Sequence, residues 1–299
     1  MIRCFYSDHF VLPLPDGHRF PMAKYRLLRE RVAAFAPGVL AEAPRATDAE
    51  LLLAHDPGYI ERMSEGGLTA AEIRAIGFPW SPEMAERARR STGATIAALE
   101  HAIATGGCGI NLAGGTHHAF ANHGEGFCCY NDAAVAARVA LARHPAIARV
   151  LIVDLDVHQG NGTAAILQGD ARVFTFSMHG AKNYPVRKER SDLDLELPDG
   201  TGDAEYLALL EHHLPRVIER FAPDALIYLA GADPYEGDRL GRLALSKAGL
   251  ATRDRFVLET AREHGLPIAI AMAGGYAHEV ADIVDIHFAT VQIAFEVFT

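Results

Sequence analysis

The chain of 299 residues is 49% apolar and 22% charged, with 27 glycines and 15 prolines scattered along it. That composition excludes disordered, collagenous and coiled-coil proteins, and a chain this long buries roughly 75% of its unfolded surface without staples. The net charge of −10, from 38 acidic and 28 basic residues, argues against a nucleic-acid binder, which needs a basic face.

An acidic surface leaves open either plain solubility or attraction of cationic substrates such as lysine side chains and polyamines. The four cysteines, Cys4, Cys108, Cys128 and Cys129, include no CxxC pair, so neither a disulfide framework nor a cysteine zinc knuckle is expected. The opening Met1-Ile2-Arg3-Cys4-Phe5-Tyr6 lacks the apolar stretch of a signal peptide, and no apolar run reaches the ~18 residues of a membrane helix. No membrane is expected as a partner, and the expected compartment is a reducing cytoplasm.

In chain order, residues 1–80 read irregularly, with Pro13, Pro15, Asp16-Gly17 and Pro21 close together, which predicts a surface loop over the domain. Ser81-Pro82, a capping hydroxyl before a proline, opens a helix over 82–104. A strand at 110–113 and a helix over 132–142 follow, then strands at 150–153 and 173–176. Asp203 is the expected cap of a helix over 204–221. Beyond it come a strand at 225–229, a helix over 246–264, a strand at 268–272 and a helix over 279–298. The strand segments are continuous apolar runs, as in strands buried on both faces, and their alternation with helices predicts an α/β protein with a parallel sheet. No repeat or linker divides residues 100–299, so residues 1–299 are expected to form a single domain.

Sites in parallel sheets form beyond the carboxyl ends of the strands, and those ends are unusually polar here. The strand at 110–113 is followed by Gly114-Gly115-Thr116-His117-His118, and that at 150–153 by Asp154-Leu155-Asp156-Val157-His158-Gln159-Gly160-Asn161-Gly162. Ser177-Met178-His179, Gly231-Ala232-Asp233 and Ala273-Gly274-Gly275-Tyr276 follow the other three. Alternate residues of an extended chain share a side, so Asp154-x-Asp156-x-His158 fits a metal ligand set, with a polar strand end capping the next helix as the alternative. Asp233 would complete two carboxylates and an imidazole with open positions, a set suited to Zn²⁺ that also accepts Fe²⁺.

His117 and His118 read alone as packed histidines; after a glycine turn, both rings could face the cleft as proton acceptor and hydrogen-bonding partner. Tyr276 is either a packed tyrosine or an oxyanion donor. Gly126-Phe127-Cys128 sets an aromatic and a thiol nearby, with Cys128 read as pocket lining rather than nucleophile. No phosphate loop, dinucleotide fingerprint or GxSxG elbow is present.

Together these motifs, in this order, resemble the histone deacetylase family of metal-dependent amidohydrolases, which includes acetoin-utilisation and acetylpolyamine relatives. Asp156-Val157-His158-Gln159-Gly160-Asn161-Gly162 and Glu236-Gly237-Asp238-Arg239-Leu240-Gly241 resemble its class IV branch most. The resemblance implies an arginase/deacetylase fold, with a central parallel sheet of about eight strands flanked by helices. It implies removal of acetyl or longer fatty acyl groups from acylated lysine by metal-activated water. Asp156, His158 and Asp233 would bind Zn²⁺, and His118 would be general base and then acid. His117, backed by Asp154, would polarise water and leaving group, while Tyr276 would stabilise the oxyanion.

Gly126, Phe127, Tyr184 and Leu240 would wall the channel, with Cys128 near the acyl group. A structural K⁺ would be held by Asp154, by carbonyls of Asp156 and His158, and by Ser177 with Met178. Asn161, where several relatives carry Asp, should make His118 a weaker base with a lowered pKa. Gly231, two residues before Asp233, disfavours an arginase-like binuclear site. The partner implied is an acylated lysine peptide or protein, or an acylated small amine. An acetylpolyamine amidohydrolase and a catalytically silent acyl-lysine binder are the alternatives. Oligomeric state is not implied.

Overall fold

The computed structural model describes residues 2–15 and 17–299; Met1 and Asp16 lie outside them. Its strands are β1 (Arg3–Tyr6), β2 (Leu40–Glu42), β3 (Cys108–Asn111), β4 (Val150–Asp154), β5 (Val173–Gly180), β6 (Leu193–Leu197), β7 (Ala225–Leu229) and β8 (Ile268–Ala271). They form one sheet in the order β2-β1-β3-β8-β7-β4-β5-β6, and every pairing is parallel. The helices are α1 (Ala23–Phe35), α2 (Asp48–Leu51), α3 (Pro57–Glu65), α4 (Ala70–Ile76), α5 (Pro82–Thr105), α6 (Asp132–Arg143), α7 (Asn161–Leu167), α8 (Asp203–Phe221), α9 (Lys247–Glu263) and α10 (Val280–Phe298).

Every residue of β3, β4, β7 and β8 is buried, which is why these segments carry continuous apolar runs. Successive side chains go to opposite faces: Leu151 and Val153 join Leu28 of α1, Leu214 of α8, Val257 of α9 and Val291 of α10. Val150 and Ile152 join Tyr59 of α3, Leu99 of α5 and Val135 of α6 on the other face. The result is an α/β fold with a parallel eight-stranded sheet between helical layers, as expected.

Three local expectations are corrected. Residues 1–80 are not a surface loop: β1 lies between β2 and β3, and four helices pack in this stretch. Short elements such as the three-residue β2 and the four-residue α2 are hard to read from sequence. Asp203 does not cap α8. Gly202 stands at the N-cap, and the Asp203 carboxylate accepts from Ser246 N at 2.9 Å and Ser246 Oγ at 2.6 Å, joining the starts of α8 and α9. The unexpected β6 is an edge strand whose Leu-Asp-Leu-Glu-Leu alternates. Ser81 accepts from Met84 N with Pro82 at the first helical position, as expected. Among the described residues no helix is long and apolar enough to cross a membrane.

Candidate active site

The ends of β3, β4, β7 and β8 bring the polar segments together. One ligand atom from each of Asp156, His158 and Asp233 lies within 4.8 Å of the others, and all three residues are buried. The loops hold them from behind: His158 N donates to Asp156 Oδ1 at 2.9 Å, Gly274 N to Asp156 Oδ2 at 2.8 Å, and Val157 N to Asp233 Oδ1 at 2.9 Å. Asp233 Oδ2 is buried outside hydrogen-bond geometry, with His158 Nδ1 3.2 Å away.

Burial and the Asp156 charge push the Asp233 carboxyl up to about 7. Burial opposes a charge on His158, yet contacts with Asp156 and Asp233 raise it to about 10. Two buried carboxylates, one with an orphaned oxygen, call for a positive charge, and the donor set fits a small divalent cation. A Cβ at Gly274 would come within 1.9 Å of Asp233 Oδ2, and one at Gly231 within 2.9 Å of Asp156 Oδ2. Neither position has room for a side chain.

The adjacent histidines have unlike partners. His117 Nδ1 lies 2.6 Å from Asp154 Oδ2; burial disfavours its charge, but Asp154 and then Asp156 raise it to about 9. Burial raises the Asp154 carboxyl even as His117 lowers it. His118 Nδ1 lies 2.7 Å from Asn161 Oδ1, and His118 is lowered well below the ordinary value. Burial is the main cause, followed by the charges of His117 and His158, while the Asn161 hydrogen bond acts upward. The direction expected from Asn161 is therefore found, with a different cause. The turn carrying both rings is fastened by Asp132 at the start of α6, which accepts from Gly115 N at 2.9 Å, Thr116 N at 2.8 Å and Thr95 Oγ1 at 2.6 Å.

Gly126, Phe127, Tyr184 and Leu240 line the mouth together with Arg19, Lys182 and Arg242. The Tyr184 ring stands edge-on to His118 at 4.9 Å, and Phe127 holds its place on the wall with φ 67°, uncommon for a residue with a side chain. Beyond the histidines an inner cavity runs past Cys128 to Leu12, Phe20, Phe78, Met84 and Ala88. Burial pushes the Cys128 thiol well up, consistent with lining rather than nucleophilic attack. Tyr276 lines both spaces; burial, then Asp156 and Asp233, raise its phenol well above 10, so it stays a donor.

Ser177 and Met178 are buried on β5, where Ser177 pairs in register with Asp154 and its Oγ lies 2.9 Å from His179 Nδ1. Sequence reasoning missed Asp132, Glu125, Arg19 and Lys24. Lys24 is buried on α1 and donates to Ala273 O and Gly275 O, both at 3.3 Å, bracing the loop before Tyr276.

A family model for the histone deacetylase domain matches residues 18–291. The chain belongs to the histone deacetylase family. It is 45% identical over 289 residues to an uncharacterized protein of Picosynechococcus, covering 94% of each chain. It is 34% identical to Histone deacetylase 2 of Arabidopsis thaliana, over 82% of this chain and 65% of that one. To the histone deacetylase-like amidohydrolase of Pseudomonas aeruginosa it is 31% identical, over 89% of this chain and 74% of the relative. Among solved structures, an HDAC homolog complexed with SAHA superposes with a TM-score of 0.85 at 25% identity, over 98% of this chain and 84% of that one. An HDAC homolog from Aquifex aeolicus gives 0.84 at the same identity and coverage. The fold is thus the arginase/deacetylase fold, and membership makes the chain a hydrolase of the deacetylase/amidohydrolase kind.

Proposed function

We propose that the protein removes acyl groups, acetyl or longer, from acylated lysine side chains. The observation that carries this reading is the convergence of Asp156, His158 and Asp233 within 4.8 Å, beside a cavity lined by Asp156, His158, His117, His118 and Tyr276. A divalent cation held by those three residues, Zn²⁺ or Fe²⁺, would supply Lewis-acid polarisation of the amide carbonyl and a lowered pKa for water. The lack of room at Gly231 favours one such ion over two.

His118, neutral and bound through Nδ1 to Asn161, takes the proton of the attacking water and later returns it to the departing amine. His117, held through Nδ1 by Asp154 Oδ2 at 2.6 Å, helps polarise the water and the leaving group. The Tyr276 phenol donates to the oxyanion as it forms. Phe127 and Tyr184 flank the alkyl stem of lysine, with Gly126 and Leu240 completing the wall and Cys128 beside the acyl group. Leu12, Phe20, Phe78, Met84 and Ala88 in the lining of the inner cavity support acyl groups longer than acetyl, although Lys24, Arg87 and Ser91 line it too. The reading includes a structural K⁺ held by Asp154, the carbonyls of Asp156 and His158, Ser177 and Met178.

The mouth bears on the choice between lysine and polyamine. Arg19, Lys182 and Arg242 line it, and no carboxylate stands among its described lining residues. Lys182 and Arg242 are each paired with Asp199, which weakens their repulsion of a polycationic acetylpolyamine, so the preference for a peptide bringing one acylated, neutral side chain rests chiefly on Arg19. The test is amine release by Zn²⁺-loaded protein from one lysine peptide carrying acetyl, octanoyl or myristoyl groups, with acetylspermidine alongside and Tyr276→Phe as control. Turnover of the peptides, lost in the control, supports the reading; turnover of acetylspermidine alone makes this a polyamine enzyme. Peptide binding without turnover under any metal makes it a silent acyl-lysine binder.

A further inference from the structure

We propose that Glu125 is a positioning residue for the hydrolysis: its carboxylate fixes the sense of the Asn161 amide, and thereby keeps the His118 proton on Nδ1 and leaves Nε2 bare. The proposal rests on the deacylase reading insofar as His118 is the base.

The two ends of the Asn161 side chain differ chemically. A carboxylate in its place would accept through either oxygen, but an amide has one accepting and one donating end and must be turned the right way. Its partners decide the sense. Asn161 Oδ1 lies 2.7 Å from His118 Nδ1, and Asn161 Nδ2 lies 2.6 Å from Glu125 Oε1. A carboxylate accepts and does not donate, so the amide must turn its NH₂ toward Glu125 and its oxygen toward His118. The His118 nitrogen facing that oxygen must then carry the ring's proton, and the neutral ring has its lone pair at Nε2.

The reversed amide would set Oδ1 against the carboxylate, oxygen to oxygen, and Nδ2 against His118 Nδ1. That pairing would move the ring proton to Nε2, where the ring takes no proton from water. Asn161 is buried, so water does not offer the amide an equivalent partner for either end.

Glu125 is itself held. Cys128 N donates to Glu125 O at 2.9 Å, and the next two residues are pinned to the end of α4, Gly126 N to Ala75 O at 3.0 Å and Phe127 N to Ile76 O at 2.8 Å. The carboxylate also lies against the Tyr184 phenol, which together with burial raises that phenol. One short loop therefore forms the channel wall through Phe127 and orients the base through Glu125.

The test compares the full, metal-loaded chain with Glu125→Ala and Glu125→Gln. Two quantities are read: kcat and KM on an acyl-lysine peptide, and the His118 tautomer by ¹⁵N NMR of histidine-labelled protein, assigned with His118→Gln. Glu125→Ala is expected to lower kcat about tenfold or more with KM within about threefold, and to convert His118 from the Nδ1–H form to a mixture. Glu125→Gln, whose carboxamide oxygen still accepts from Asn161, is expected to keep the Nδ1–H form and a kcat within about threefold of wild type. An unchanged tautomer in Glu125→Ala overturns the proposal, whatever kcat does. The tautomer comparison does not need turnover, so a wild-type chain inactive on every acyl-lysine would sink the deacylase reading and still leave the Glu125 claim decided.

Discussion

His117 and Asp154 stand 2.6 Å apart, nitrogen to oxygen, with both side chains buried. The carboxylate charges of Asp154 and Asp156 outweigh the burial that opposes them and hold the imidazole at about 9, a cation at neutral pH. Asp154→Asn keeps the shape and removes that charge. It is expected to lower kcat for acyl-lysine hydrolysis by on the order of 10²–10⁴-fold while metal content per chain stays at the wild-type level. A kcat within threefold of wild type would show that the cationic form of His117 is not needed.

Asp156 and Asp233 place two carboxylates in one buried site, where burial and the Asp156 charge raise the Asp233 carboxyl, a strain that a bound divalent cation relieves. Zn²⁺ at about 100 times its Kd is expected to add about 2.7 kcal/mol to stability and so to raise the Tm of the wild type. Asp233→Asn retains an oxygen for Val157 N but removes one charge. The metal-free variant is expected to melt at or above the metal-free wild type and to gain little from Zn²⁺. An equal rise in both proteins would count against Asp233 as a ligand.

Ala88 faces the inner cavity from α5. Ala88→Leu fills space that a long acyl tail needs and an acetyl group does not. The expected result is a fall of about tenfold or more in kcat/KM for a myristoyl peptide, with the acetyl peptide within about threefold of wild type. Equal losses on both peptides would mean that the tail takes another route.

His55 is buried, with Nδ1 3.0 Å from Phe120 O and Nε2 accepting from Asn131 N at 2.9 Å. Burial is the main reason that it is lowered from 6.5 to about 4. The unfolded chain therefore binds its proton first as pH falls, so this contribution is complete above about 6.5 and lost as pH falls through about 4, a change of about 3 kcal/mol. Urea midpoints measured from pH 7.5 to 4 are expected to fall for the wild type, and less steeply for His55→Gln. Parallel curves would remove His55 from the cause.

The central strands and the residues just beyond them were legible because strands buried on both faces write themselves as unbroken apolar runs, and Asp156, His158, Asp233 and Tyr276 follow such runs directly. β6 was not, since its outer position lets it alternate, and β1 and β2, only partly buried and carrying Arg3 and Glu42, form no apolar run. Asp203 obeyed the local rule for a cap but was taken by Ser246 of another helix. Glu125, Asp132 and Lys24 act on partners 36, 16 to 17 and 249 to 251 positions away, separations that no local pattern encodes.

The place of β1 inside the sheet also bears on how the chain is made. β1 leaves the ribosome first, yet its neighbour β3 begins at Cys108, and β3's other neighbour β8 begins only at Ile268. The two halves of the sheet, β2-β1-β3 and β7-β4-β5-β6, therefore cannot be joined through β8 until nearly all of the described chain has been translated, and such distant pairings are slow to close. Until then β3 pairs only with β1, while β4 can already pair with β5 and β7, so the two halves of the sheet stay unjoined. Asp156 and His158 are likewise synthesised well before Asp233 and Gly274, so a stalled nascent chain would have only part of the constellation with which to capture its ion.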